Sequence, residues 1–68
     1  MVKKMSNQAR FLTIKELSLL LNMKESRIRF EIFRKNIPYI KIGRSIRFEY
    51  DEIIQWTKSK RQEAKNET

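Results

Sequence analysis

The stretch Met23 to Pro38, MKESRIRFEIFRKNIP, decides the fold. Ile28 and Ile32 stand one helical turn apart, and residues four apart lie on the same face of a helix. The other faces carry three arginines, Arg27, Arg29 and Arg34. The pattern therefore predicts a helix that packs one side on a small core and offers the other side to an anion.

This helix is expected to begin around Lys24 or Glu25 and to end in Asn36-Ile37-Pro38, because proline disfavours helical geometry in the residue before it. Spacing places Lys35 on the face of the two isoleucines, with Glu31 beside it. The opposite side carries Ser26, Phe30 and Phe33. We expect Phe33 to pack into the core or against a later hairpin. For Phe30 three roles stay open: contact with thymine methyl groups, a protein contact, or packing on the hairpin.

A shorter amphipathic helix is predicted upstream. Thr13 and Glu16 have the spacing of a capping box, in which each side chain accepts a hydrogen bond from the backbone amide of the other residue. Leu12 before the cap can pack on Leu17 as a hydrophobic staple. Leu17, Leu20 and Leu21 define an inward face, Leu19 is expected to meet a later element, and Asn22 suits the left-handed conformation that ends a helix.

Two β-rich runs follow the proline and predict a hairpin closed by Gly43-Arg44-Ser45. Its inner face is expected to carry four apolar residues, Ile40, Ile42, Ile46 and Phe48. Lys41 and Arg47 are then outward, with Arg44 at the tip. A last helix is predicted from the acidic run Glu49 to Glu52, because carboxylates are favoured at a helix N-terminus, and Ile53 and Trp56 pack inward.

Length and charge limit the possible functions. Sixty-eight residues make one domain with little room for an enclosed active site, and a net charge of +8 with a pI near 10.2 favours polyanionic partners. The sequence contains no cysteine and no histidine, which argues against zinc sites, disulfides and the commonest general base. The clustered carboxylates Glu49, Asp51 and Glu52 are explained by the helix start, so an enzyme is not expected.

The chain is accordingly divided into a flexible basic arm over residues 1–10, a domain over 11–57 and a charged tail over 58–68. No run approaches the length of a membrane span and no signal peptide is evident, which predicts a cytoplasmic protein. No cofactor, metal, membrane or small-molecule ligand is expected. The fold class is mainly α with a small β-hairpin, in the order helix, helix, hairpin, helix.

From Phe11 to Trp56 the sequence resembles the excisionase-like, MerR-related family of winged helix-turn-helix DNA-binding domains. The matching pieces are FLTIKELSLLLNM, the helix closing in NIP, the hairpin YIKIGRSIRF and the segment DEIIQW. The resemblance implies that the second helix enters the major groove of double-stranded DNA and that the hairpin forms a wing on the backbone or minor groove. The chain departs from the family pattern in having Lys24 where serine often caps the recognition helix, and Lys35 where glycine is common.

Carried over by position, the resemblance gives two sets of candidate DNA contacts. The groove-facing candidates are Lys24, Glu25, Ser26, Arg27, Arg29 and Phe30. The wing candidates are Lys41, Arg44 and Arg47. Arg27 and Arg29 can each fork onto guanine or hold a phosphate, and the sequence does not choose between them, although Arg27 is the first choice for a base contact.

The resemblance further implies an excisionase, a recombination directionality factor of a mobile genetic element that acts with an integrase and self-associates cooperatively on DNA. A small transcriptional or replication regulator of a plasmid, phage or genomic island fits the same surface. An alternative of another class is a protein-protein adaptor that uses Phe30 and Phe33 as its contact patch.

Overall fold

The computed structural model describes residues 9–62, and their elements follow the predicted order with one strand added at the start. The elements are β1 (Phe11–Leu12), α1 (Ile14–Leu21), α2 (Glu25–Phe33), β2 (Ile40–Ile42), β3 (Ser45–Glu49) and α3 (Tyr50–Ser59). The winged helix-turn-helix architecture is confirmed, and the hairpin of β2 and β3 is called the wing below. Residues 1–8 of the arm predicted over 1–10, and residues 63–68 of the tail predicted over 58–68, lie outside the described residues.

The capping box begins α1 as predicted. The Thr13 hydroxyl accepts from the Glu16 amide at 3.0 Å, and the Glu16 carboxylate accepts from the Thr13 amide at 2.9 Å. At the other end Asn22 adopts φ 55°, the left-handed conformation expected of it. Met23 follows, half-buried, and packs against the core. Local hydrogen bonding at the start of α1 and the backbone conformation of Asn22 at its end therefore fix both ends of this helix.

The core consists of six buried apolar side chains: Leu12, Leu17, Ile28, Ile37, Phe48 and Ile53. Every helix and strand except β2 supplies one of them, and the connection after α2 supplies Ile37. Burying a side chain of this size contributes about 1.5–3 kcal/mol. The wing is thus anchored through β3 alone, and β2 is left at the edge of the sheet.

Within residues 9–62 the sheet has three strands, where the sequence predicted a two-stranded hairpin. β1 pairs antiparallel with β3, placing Leu12 opposite Phe48, and the strand order is β1-β3-β2. A strand of two residues is too short to show a period-two pattern, which explains why the sequence did not reveal it. Leu12 and Leu17 lie in the same core cluster, in agreement with the hydrophobic staple predicted before the cap.

The predicted faces of the wing are wrong. Ile42 lies opposite Ser45, Lys41 opposite Ile46, and Ile40 opposite Arg47. The connection is the two-residue turn Gly43-Arg44, one residue shorter than predicted. A one-residue change of register moves every side chain of a strand to the other face.

The inner face of the wing therefore carries Ile46 and Phe48 together with Lys41. Ile40 and Ile42 lie with Arg47 on the outer face. Lys41 and Arg47, predicted to share the outward face, are on opposite faces.

Three apolar side chains expected to be buried are exposed. Leu20 of α1 is partly exposed, Leu19 is 73% exposed, and Phe33 at the end of α2 is 83% exposed, so Phe33 packs on neither core nor wing. Both helices bury only a narrow stripe because the core is small. Within residues 9–62 no helix has the length and apolar character needed to cross a bilayer.

A left-handed residue after α2 changes the direction of the chain. Lys35 adopts φ 58°, its amide donates to the Ile32 carbonyl, and the Asn36 amide donates to the Glu31 carbonyl at 2.9 Å. These bonds form a Schellman motif, in which glycine is the usual residue at the position of Lys35. Lys35 is exposed and does not share the face of Ile28 and Ile32, contrary to the prediction.

Candidate nucleic-acid interface

The second helix of the helix-turn-helix presents a polar, mostly basic surface. Five of its six candidate residues are exposed: Lys24, Ser26, Arg27, Arg29 and Phe30. The sixth, Glu25, is half-buried in the first turn, where a carboxylate complements the positive end of the helix dipole. Lys24 is the N-cap residue and makes no side-chain capping hydrogen bond, so the helix starts without the serine cap common in related sequences.

The two arginines of this surface have different surroundings. The Arg27 Nε donates to Oε2 of Glu31 at 2.8 Å, while the rest of the Arg27 side chain extends outward and is 62% exposed. The nearest approach of Arg29 to Glu25 is 3.6 Å, which is an ion pair too long for a hydrogen bond. Arg27 is thus held in place within the protein, and Arg29 is not.

Glu31 is the buried charged residue in the part of the chain described here, with 4% of its surface exposed. Its second oxygen, Oε1, accepts from Nδ2 of Asn36 at 2.8 Å. The hydrogen bond from Asn36, assisted by that from Arg27, lowers the pKa of Glu31 below its ordinary value of 4.5. The carboxylate is therefore charged at neutral pH and satisfied on both oxygens.

The same network reaches α3. The backbone carbonyl of Asn36 accepts from the indole Nε1 of Trp56 at 2.9 Å. A chain of hydrogen bonds consequently runs from Arg27 through Glu31 and Asn36 to Trp56. The sequence pattern indicated that Glu31 lies beside the core, but this network was not predicted. The four-residue spacing of Arg27 and Glu31 is the only part of it visible in the sequence.

The aromatic residues of α2 lie beside this basic surface. Phe30 is half-exposed, and the guanidinium of Arg34 lies 5.5 Å from the centre of its ring, within the range of a cation–π contact. Phe33, one turn further along, has no such cover. The Phe30 side chain is thus partly shielded by a cation, whereas Phe33 offers nearly its whole ring to a partner.

The wing exposes Lys41 and Arg44, and Arg47 is half-buried. Gly43 has φ 62° at the first position of the turn, which is typical of the tight hairpin turns that begin with glycine. Arg44 occupies the second position, at the tip. One Nη of Arg47 donates to the Ile46 carbonyl at 2.8 Å, so part of its hydrogen-bonding capacity is used within the wing.

Residues 9–62 enclose no cavity, and they contain no group of three or more acidic residues close enough together to hold a metal ion. What the structure brings together is a row of exposed cations on α2 and two more at the end of the wing.

Comparison with known proteins gives one match. A family model described as a helix-turn-helix domain matches residues 11–61, three-quarters of the chain and nearly the same range as the predicted resemblance. No curated protein and no solved structure matches the sequence.

Proposed function

The chain belongs to the helix-turn-helix domain family, DNA-binding proteins that include excisionase-like members, and from this premise we propose that it is a sequence-specific excisionase of a mobile genetic element. In this proposal α2 is the recognition helix in the major groove of double-stranded DNA. The wing lies on the adjacent backbone or minor groove.

The observation that carries the proposal is the distribution of exposed cationic groups. On α2 and its N-cap, Lys24, Arg27 and Arg29 are exposed, and on the wing Lys41 and Arg44 are exposed. Lysine and arginine on a projecting helix and hairpin are the electrostatic footprint of a DNA-binding surface. Ser26 supplies a hydroxyl, which is suited to a phosphate or a base edge. Phe30 supplies an apolar surface, which is suited to a thymine methyl group.

The remaining candidates have narrower roles. Glu25, ion-paired with Arg29, carries a carboxylate of the kind that accepts a hydrogen bond from a cytosine amino group. Arg47 contacts DNA only if the outer face of the wing is turned to the backbone. Arg44 at the tip can enter a narrow minor groove, whose negative potential attracts arginine.

An excisionase needs no catalytic residues, and the proposed action of this protein is geometric. Protomers bind adjacent repeats near an attachment site and bend the DNA so that an integrase is biased towards excision. Cooperative self-association of several protomers lets weak individual sites add up to stable occupancy. The proposal places this activity in the cytoplasm, with no cofactor or small-molecule ligand.

The proposal is tested in two steps. The first is footprinting of the purified protein on the DNA that flanks its gene, with Arg27→Ala and Arg44→Ala as loss-of-contact variants. Lys58→Ala is the matched control, because it removes the same charge from an exposed residue of α3, which belongs to neither α2 nor the wing. Protection should weaken in both arginine variants and persist in the control.

The second step is a recombination assay with the element's integrase, with and without the protein. Excision should increase and integration should decrease when the protein is added. If the direction of recombination is unchanged while a neighbouring promoter is occupied, the protein is the transcriptional or replication regulator that its sequence equally allows.

A second candidate function, the protein-protein adaptor, is favoured by one observation. Phe33 is 83% exposed and lies one helical turn from the half-exposed Phe30. Aromatic residues exposed together are enriched at protein contacts. If Phe33→Ser abolishes recovery of a partner protein while both arginine variants bind DNA as the wild type does, the adaptor function replaces the DNA-binding one.

A further inference from the structure

Glu31 is a buried residue of α2. A buried carboxylate is costly unless each oxygen is paired, and here Arg27 pairs with one oxygen and Asn36 with the other. Arg27 has most of its side chain in solvent, with 62% of it exposed. The carboxylate therefore serves as an internal support for a side chain that points out of the molecule.

The geometry of the contact leaves one edge of the guanidinium free. Arginine has five N–H donors, and the hydrogen bond to Glu31 uses the Nε of Arg27. The two terminal nitrogens keep their donors, and a pair of terminal nitrogens matches guanine O6 and N7. Because the side chain is already ordered, it loses less conformational freedom when it meets a base.

Arg29 lacks this support. Its distance to Glu25 is 3.6 Å, and both side chains of that pair are about half exposed. An exposed pair at this separation restrains a side chain weakly. Arg29 can follow a phosphate, which carries no sequence information, more readily than it can hold the fixed geometry needed to select a base.

We infer that Glu31 is a positioning residue that makes Arg27 the base-selecting arginine of the recognition helix and leaves Arg29 to a phosphate. Asn36 donates to the second oxygen of the Glu31 carboxylate, and the indole of Trp56 in α3 donates in turn to the Asn36 backbone carbonyl. The inference deepens the proposed function and rests on it.

A purely structural Glu31 would give a different result from a positioning one. If Glu31 only stabilises the fold, its replacement should weaken binding to every DNA sequence by the same factor. If it positions Arg27, its replacement should reduce discrimination at one base pair, and only while Arg27 is present. A double-mutant cycle on base discrimination separates the two.

The experiment uses the full chain and a duplex selected from a random pool. Affinities are measured for that duplex and for each single base-pair replacement, with the wild type, Arg27→Ala, Arg29→Ala, Glu31→Gln and the double variant Arg27→Ala/Glu31→Gln. Arg27→Ala should lower discrimination at one base pair about tenfold or more. Arg29→Ala should weaken all duplexes alike and lower the salt slope by about 0.9.

Glu31→Gln should lower discrimination several-fold at the Arg27 base pair, and should have no further effect on discrimination in the Arg27→Ala background. An equal effect on all duplexes, or the same loss of discrimination in both backgrounds, overturns the inference. If the wild type selects no duplex, the proposed function itself fails. Selective binding that is unchanged in Glu31→Gln overturns only the positioning role.

A measurement on the wild type covers the case in which Glu31→Gln does not fold. The Nε–H group of each arginine has its own NMR signal, whose order parameter reports motion on the ps–ns timescale. In the free protein Arg27 should give a rigid Nε–H signal and Arg29 a mobile one. Equal mobility of the two groups contradicts the inference.

Discussion

Replacing Lys41 by alanine should weaken DNA binding and lower its salt dependence, whereas replacing Arg47 should change the salt dependence much less. Both substitutions remove one positive charge from the wing, so the two variants are matched in net charge. They differ in the face of the hairpin from which the charge is lost, because Lys41 lies opposite Ile46 and Arg47 lies opposite Ile40.

The face that carries Lys41 is the one that carries Phe48, whose side chain joins Ile28 of α2 in the core. Lys41 is therefore on the side of the wing that is turned towards the helices. Arg47 is on the other side, half-buried, with one donor bound to the Ile46 carbonyl. A DNA strand that meets both α2 and the wing is expected to approach the face of Lys41.

The magnitude follows from counterion release. Each phosphate contact contributes about 0.9 to the slope of log affinity against log salt concentration. When the salt concentration rises fourfold, a variant that lacks one contact therefore loses about 3.5-fold less affinity than the wild type. Long-range attraction to DNA falls similarly in both variants, so the difference between them isolates the contact.

The assay is a titration of a labelled duplex by fluorescence anisotropy at several salt concentrations between about 50 and 200 mM. The Lys41→Ala slope should be lower than the wild-type slope by about one contact, and the Arg47→Ala slope should stay near the wild-type value. Equal slope changes in the two variants would refute the reasoning from the faces of the hairpin. A larger change in Arg47→Ala would mean that DNA meets the outer face.

Four further outcomes are expected from measurements of unfolding. Thr13→Ala should lower stability by about 1 kcal/mol through loss of the capping box, which in a domain of this size is a fall in Tm of about 4–8 °C by calorimetry. Lys35→Gly should raise stability by about 0.5–1 kcal/mol in urea titrations, because Lys35 occupies a left-handed conformation that glycine adopts freely. Phe33→Ser should change stability by no more than about 0.5 kcal/mol, since an exposed side chain is replaced, and a larger loss would mean that Phe33 is packed. The pKa of Glu31 is lowered, first by the hydrogen bond from Asn36 and then by that from Arg27. The stability that this gives is fully present above pH 4.5 and is lost as the pH falls through the folded-state pKa. Glu31→Gln should therefore lose less stability in acid than the wild type.

The sequence was sufficient where short-range physics determines the structure. The capping box of Thr13 and Glu16, the left-handed Asn22 and the start of α2 at Glu25 all depend on residues within one or two turns of each other. Alternating or helical spacing also placed Leu17, Ile28 and Ile53 in the core. These signals are carried by the chain locally, so no knowledge of its tertiary partners was required.

The faces of the wing could not be predicted reliably, because they depend on the length of one turn. A three-residue turn over Gly43-Arg44-Ser45 would have placed Ile42 opposite Ile46 and all four apolar residues on one face, which is the arrangement that hydrophobic patterning favours. The chain instead uses two residues and exposes Ile42. At the end of the wing no core surface covers Ile42, which is 59% exposed. Burial of Ile42 therefore does not determine the register, and the geometry of the turn does.

The Arg27 support depends in turn on the backbone after α2. The left-handed conformation of Lys35 reverses the chain within one residue and brings Asn36 back to the last turn of the helix. From there the Asn36 side chain donates to the Glu31 carboxylate, and the Asn36 backbone carbonyl accepts from Trp56, twenty residues later in the sequence. Lysine is not a residue type that indicates a left-handed conformation, so the turn at Lys35 could not be predicted. The sequence could therefore indicate the pair of Arg27 and Glu31, but not the hydrogen bond from Asn36 that holds Glu31. If the turn were lost, Glu31 would keep one partner of two, and Arg27 would be supported by a carboxylate that is itself free to move. The fixed direction of the arginine therefore depends on the backbone conformation of an exposed residue that is not among the proposed DNA contacts.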